Sequence, residues 1–278
     1  MNNAPVLVTG AHGFLGRNIV EALTDFRVFA PPRSELDCRD FRGVSEYVAR
    51  HAIKFVVHCA GPGTQPKRDE PGCFENIIGM FFNLVRLRER FEKVICVGTG
   101  HEFLARGSLR NLPCLKSYRS LPENPYGLAK LICNNFIHDY GLKNFINVRI
   151  FFAFGKYEEP KARLMPRAIS HLLENKDVSI DHEVLVSFIY ATDFARFIAK
   201  LLIAQRYGAS YHACYRQAIR LGALLAQVKD LCGSRSKIVV QNRQGDVYTS
   251  TGYVHGFQHS EKNLVELLEH YAQPAVAA

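Results

Sequence analysis

At 278 residues the chain can hold one large α/β domain and a smaller appendage, with ample core. Its formal charge of +9 comes from Lys and Arg spread along the chain, with no basic tail and no ribonucleoprotein pattern, so the field points to small phosphate-bearing substrates and away from nucleic acid. No segment is long and apolar enough to span a bilayer, no signal peptide is visible, and the eight scattered cysteines form no C-x-x-C pair, all of which fits a reduced, cytoplasmic protein.

The chain opens with an apolar run, Val6–Val8, that reads as a short buried strand. Directly after it come Gly10-Ala11-His12-Gly13-Phe14-Leu15-Gly16, a G-x-x-G-x-x-G turn leading into a helix expected over Phe14–Asp25. A helix start of this kind leaves N–H groups unpaired and carries the positive end of the dipole, a natural seat for a pyrophosphate. Glycine lets the backbone approach the phosphates and lets helix and strand pack closely. Taken alone, the turn could equally be a glycine-rich bend without a ligand.

Short apolar runs then alternate with amphipathic ones, the mark of strand–helix–strand units and a parallel sheet. Strands are predicted at Arg27–Ala30, Phe55–His58, Val94–Val97 and Ile146–Ile150, and helices at Phe41–His51, Cys73–Arg90 and Pro125–Tyr140. The last of these has Asn124 as N-cap, Pro125 in its first turn and Gly141 at its end. From about Gly155 the character changes. A charged, proline-containing loop leads to an amphipathic segment, Leu164–Leu173, and to short strands at Val178–Ile180 and Val184–Phe188. Helices follow at Thr192–Ala204 and Leu221–Leu231, then one more strand and a final helix over Glu261–Tyr271. The reading is a doubly wound parallel sheet of Rossmann type over residues 1–155. A smaller lobe, residues 156–278, closes over the strand ends, and 191–204 could pack back on the first domain.

Tyr126 and Lys130 stand four residues apart in the first turns of the helix at Pro125, on one face. A free phenol ionises at about pH 10, so work near neutrality calls for about 4 kcal/mol of added phenolate stabilisation. The neighbouring ammonium and the helix start are two sources of it. Thr99 ends an apolar strand at the sheet edge where the glycine turn should also lie, and its hydroxyl could orient a substrate oxygen. His101, two residues on, would point to the same side in extended geometry, with Glu102 pointing the other way. A helix-start Tyr beside a surface Lys, and a loop His without a role, are the bland alternatives.

With Thr9–Gly16, Leu36–Asp40, Val57–Ala60, Gly98–Phe103, Pro125–Lys130, Val148–Phe151 and Ser187–Asp193 in this order, the chain resembles the extended short-chain dehydrogenase/reductase family of NAD(P)-dependent nucleotide-sugar epimerases, dehydratases and reductases. Gly208–Ala213 looks like the family's late strand. The resemblance implies that Gly10, Gly13 and Gly16 hold the pyrophosphate with Phe14 and Leu15 beside it, that Asp37 and Cys38 meet the adenine, and that Ala60 lies near the nicotinamide ribose. Tyr126 would be the general acid/base, Lys130 its partner and a ribose ligand, and Thr99 the orienting hydroxyl. His101 would be a second acid/base for a carbon next to a ketone.

The stretch after the second strand, Phe29–Ser34, lacks the acidic residue of NAD-preferring members and carries Arg33, which favours NADP; NAD stays open. Phe152 replaces the family's Asn and Val186 its diphosphate-gripping Arg, and Lys161 and Arg163 are candidates for the missing charge. The expectation is an NADP-dependent reductase or epimerase/reductase on a nucleotide-activated keto-deoxysugar. A homodimer built on the helices at 73–90 and 125–140 is implied by the same resemblance. The alternatives are an epimerase or dehydratase with tightly bound NAD, and a non-catalytic NAD(P)-binding regulator. No metal is expected.

Overall fold

The computed structural model describes residues 3–61, 71–103, 109–114, 121–159, 163–242 and 245–272. The first half runs β1 (Pro5–Thr9), α1 (Phe14–Ala22), β2 (Arg27–Phe29), α2 (Phe41–Arg50), β3 (Phe55–His58), α3 (Cys73–Arg86), β4 (Lys93–Thr99), β5 (Leu109–Leu112), α4 (Pro125–Asp139) and β6 (Phe145–Ile150). The second runs β7 (Phe152–Phe154), α5 (Leu164–Leu173), β8 (Val178–His182), β9 (Leu185–Val186), β10 (Phe188–Tyr190), α6 (Ala191–Ile203), β11 (Ser210–His212), β12 (Ile219–Arg220), α7 (Leu221–Leu231), β13 (Ile238–Asn242), β14 (Val247–Ser250) and α8 (Glu261–Ala272). Among the described residues no helix is long and apolar enough to cross a membrane.

Six parallel strands form the central sheet in the order β11-β6-β4-β3-β1-β2. The chain leaves β1 toward β2 on one side and returns to β3 on the other. That reversal opens a crevice at the carboxyl ends of β1 and β3, where ligands of open α/β sheets bind. The run Val6-Leu7-Val8 is fully buried because both sheet faces are covered. Val6 and Val8 pack into a cluster with Ile19, Phe194 and Ile198, and Leu7 faces the opposite cluster of Val44, Val48, Ile77 and Phe81.

Local signals set several element ends. The Asp40 carboxylate accepts from the N–H groups of Arg42 and Gly43 to start α2, and Asn124 Oδ1 accepts from Gly127 N at 2.7 Å to start α4. The C-terminal end of α6 is held from a distance. The buried ammonium of Lys93 on β4 donates to the carbonyls of Leu201, Leu202 and Ala204 at 2.7–2.9 Å.

The structure departs from the sequence expectation in a few places. The first helix ends at Ala22 and the third at Arg86, where a separate 3-10 turn at Arg88–Arg90 takes over. The strand expected at Val184–Phe188 is broken at Ser187, whose N–H donates to Tyr248 O and whose hydroxyl accepts from Ser250 N. Its halves therefore join different sheets, β9 with β12 and β14, and β10 with β7. The tail holds two strands rather than one, and β5 and β7 carried no clear period in so few residues. The second half also contributes to the central layer. Helix α6 packs on α1, and β11 pairs with β6.

Candidate active site

The glycine turn closes on itself, with Gly13 N donating to Gly10 O at 3.0 Å. Gly10 has φ of 67°, and a Cβ there would stand 2.7 Å from the Ala60 nitrogen, so only glycine lets the turn lie against the end of β3. No side chain caps the start of α1 at Gly13. The first N–H groups of that helix, at Phe14 and Leu15, are thus left for an outside acceptor. The Thr9 hydroxyl pins the floor: it accepts from Ala60 N at 3.3 Å and meets His58 Nδ1 at 2.7 Å. Burial, with the Lys130 charge adding to it, pushes His58 down to about 3, so its ring is neutral.

A cavity of about 410 Å³ rises from this cradle, lined at one end by Gly10, Gly13 and Ala60 and at the other by Arg33, Asp37, Cys38 and Arg39. Arg39 grips the Asp37 carboxylate with Nη2 at 2.5 Å and Nε at 2.9 Å, and Arg33 Nε lies 3.6 Å from it. Hydrogen bonding from Arg39 holds Asp37 down at about 2. Two guanidiniums around one carboxylate leave this end of the cavity positive. The sequence reading missed Arg39, although its place two residues after Asp37 was a usable signal. Leu15 packs partly buried against the core, and Gly16 is buried in α1 below the turn.

At the carboxyl end of β4 the chain does not continue extended. Gly100–Phe103 forms a 3-10 turn, which corrects the geometry expected for His101. The His101 N–H donates to Thr99 Oγ1 at 3.2 Å, and the His101 ring stands edge-on to Tyr126 with centroids 5.8 Å apart. Gly127 permits this approach, because a Cβ there would collide with the His101 carbonyl oxygen. One turn further along α4, Lys130 Nζ donates to Val97 O at 2.8 Å. Burial works against its ammonium, but the Tyr126 phenol, the Cys133 and Cys96 thiols and the Glu102 carboxylate more than compensate, and the net effect raises Lys130. The structure therefore gathers Thr99, His101, Tyr126 and Lys130 at one place, with Lys130 within electrostatic reach of His58 and Cys59 beside the cradle.

A second cavity of about 240 Å³ opens beside His101, walled by Phe151, Phe152, Val184, Val186, Leu221 and Tyr248. Both family departures, Phe152 and Val186, stand on this wall and make it apolar. Arg163 is exposed at the start of α5 and lines neither cavity, while Lys161 lies outside the described residues. Glu102, set aside by the sequence reading, is wholly buried and ion-paired with Arg149.

The chain is similar to several known proteins. GDP-L-fucose synthase of Azorhizobium caulinodans is 26% identical over 219 residues, covering 71% of this chain and 70% of that protein. GDP-mannoheptose C4 reductase from Campylobacter jejuni, solved with NADP bound, superposes with a TM-score of 0.78 at 15% identity over 98% of this chain and 99% of that one. UDP-glucose 4-epimerase from Thermus thermophilus, in complex with NAD, superposes with a TM-score of 0.72 at 20% identity over 96% and 99%. These two structures share the fold. Residues 6–214 match the NAD dependent epimerase/dehydratase family, and the chain belongs to it: an NAD(P)-dependent enzyme of the extended short-chain dehydrogenase/reductase type, in a family that includes nucleotide-sugar epimerases and reductases.

Proposed function

We propose that this enzyme is an NADP-dependent reductase, or epimerase/reductase, acting on a nucleotide-activated keto-deoxysugar. The observation that carries the reading is the Tyr126–Lys130 pair beside the glycine cradle with the His101 ring 5.8 Å from the phenol ring. The cradle fits a dinucleotide: Gly10 lets the turn lie close against the end of β3, and the start of α1 has no side-chain cap. Gly10, Gly13, Phe14, Leu15 and Gly16 would hold its pyrophosphate, Arg33 and Arg39 its 2′-phosphate, and Ala60, Tyr126 and Lys130 its nicotinamide ribose. NADPH, when bound, supplies a hydride.

Tyr126 gives its phenolic proton to the carbonyl oxygen as that oxygen becomes an alcohol. Lys130, charged and fixed on Val97 O, stabilises the phenolate left behind. Thr99 Oγ1 orients the reacting oxygen. His101 takes a proton from the carbon beside the ketone, and reprotonation of the enediolate on its opposite face inverts that centre before reduction. The apolar wall of Phe152 and Val186 suits the deoxygenated part of a sugar.

A second reading, an epimerase or dehydratase with tightly held NAD, draws on the Asp37 carboxylate at the adenosine end, an acceptor for a ribose hydroxyl. A homodimer is proposed through the outer faces of α3 and α4. Phe82 and Phe136 pack there at 4.8 Å, and Tyr140, stacked on Phe136 at 4.1 Å, is 71% exposed. Eight free thiols support a reducing cytoplasm.

The deciding experiment screens oxidation of NADPH and NADH by a panel of 4-keto-6-deoxy nucleotide sugars. Turnover should appear with NADPH and fall by about a hundredfold or more in Tyr126→Phe, with NADPH affinity nearly intact. A protein that binds NADPH but consumes it with no member of the panel would instead be a nucleotide-holding regulator.

A further inference from the structure

Glu102 lies next to His101 and has no part in the chemistry above, yet its buried carboxylate is the most heavily engaged in the described structure. Oε1 accepts from the Thr99 N–H at 3.1 Å, Asn147 Nδ2 reaches both oxygens at 3.2 Å, and Arg149 Nε donates to Oε2 at 2.5 Å. Neither Glu102 nor Arg149 has any exposed surface. The contacts run on into the next element. Asn147 Nδ2 also donates to Asn134 Oδ1 at 3.1 Å, and Ser210 Oγ donates to the same oxygen at 3.1 Å. Asn134 is four residues beyond Lys130 on α4, so the two share a face.

We propose that Glu102 is a positioning residue for the reaction: its carboxylate holds the turn that presents Thr99 and His101 and ties that turn, through Asn147 and Asn134, to the face of α4 that carries Lys130. This rests on the roles given above to Thr99, His101 and Lys130. A packing role alone does not explain the arrangement, because a buried ion pair is commonly replaced by apolar residues of similar volume at no loss of stability. What an apolar pair lacks is direction. The carboxylate aims acceptors at a backbone N–H next to the catalytic hydroxyl and at a side chain that reaches α4. The terminal nitrogens of Arg149 meet no oxygen acceptor among the described residues, so its guanidinium acts here through Nε, as the partner of the Glu102 carboxylate. The same carboxylate is one of the charges that favour the Lys130 ammonium.

The test uses the full chain with NADPH. Glu102→Leu combined with Arg149→Met removes the pair without stranding a charge, and Asn147→Leu cuts the tether to α4 while the pair stays. Thermal midpoint, NADPH affinity, amide hydrogen exchange at Thr99 and steady-state kinetics are measured on each. The double variant is expected to fold and bind NADPH like the wild type. Its Thr99 amide should exchange about tenfold faster or more, and its kcat should fall about tenfold or more with the KM for NADPH unchanged. Asn147→Leu should show the same fall in kcat, which keeps the test decisive if the double variant does not fold. Wild-type exchange at Thr99 together with wild-type kcat in whichever variants fold overturns the proposal. If no keto-sugar is turned over even by the wild type, the functional reading fails separately, and faster or unchanged Thr99 exchange in the double variant, or in Asn147→Leu if that alone folds, then supports or overturns the role of Glu102.

Discussion

Lys130 Nζ donates to the carbonyl oxygen of Val97 at 2.8 Å, a bond that ties the helix bearing the proposed acid/base pair to the strand that ends at Thr99. It fixes the ammonium below Tyr126 rather than letting it follow solvent. The surroundings raise Lys130, so the group stays charged across the physiological range.

Replacing that ammonium tests its role directly. Lys130→Met should lower kcat/KM by about a hundredfold or more, because the phenolate loses its counter-charge. NADPH binding should weaken by about tenfold through the lost ribose contact. Turnover assays and titration of nicotinamide fluorescence read the two effects separately.

Arg33 and Arg39 flank Asp37 at the adenosine end of the larger cavity. Arg39→Ala and Arg33→Ala should each raise the KM for NADPH by about tenfold, the worth of one charge-assisted phosphate contact, and leave that for NADH nearly unchanged. A wild-type preference for NADH would assign these guanidiniums to Asp37 alone and favour the NAD reading.

Glu158 is 6% exposed, accepts from Gly155 N at 2.9 Å and is pushed up to about 7 by burial. A carboxyl raised above its unfolded value stabilises the fold below the unfolded pKa, and that contribution is lost as pH climbs through the folded one. Stability should therefore decline between about pH 4.5 and 7 on account of this group. Glu158→Gln keeps the acceptor and removes the titration. At pH 8 it should be more stable than the wild type by up to about 3 kcal/mol, with little difference near pH 4. Urea unfolding at the two pH values measures the gap, and equal curves at both would refute the assignment.

Lys93 holds three carbonyls at the end of α6 from its buried place on β4. Lys93→Met should lower stability by about 1–3 kcal/mol, since those carbonyls lose their donor in the interior. NADPH affinity should not change, because the contact lies at the opposite end of β4 from Thr99. Calorimetry and cofactor titration together check both halves.

Much of this fold was readable before any tertiary contact was known. Phe55–His58, Leu164–Leu173 and Leu221–Leu231 have the limits that their apolar patterns predict, and Asn124-Pro125 marks its helix start by capping chemistry. Short elements were harder: β5 and β7 span four and three residues, too few for a period to show. At the candidate site, spacing put Tyr126 and Lys130 on one face of a helix. Extended geometry at 99–101 was the wrong local guess, because Gly100 begins a turn and Glu102 must fold inward to reach Arg149.

The order of strands, helices and glycine turn belongs to the sequence alone, since apolar period, caps and steric freedom are properties of neighbouring residues. Tertiary structure decided which distant groups meet. Glu102 and Arg149 are 47 residues apart, and the His101 ring faces Tyr126 only because β4 and α4 pack with Gly127 between them. Such meetings depend on how separate elements bury their faces against one another, and no local pattern in the chain encodes that.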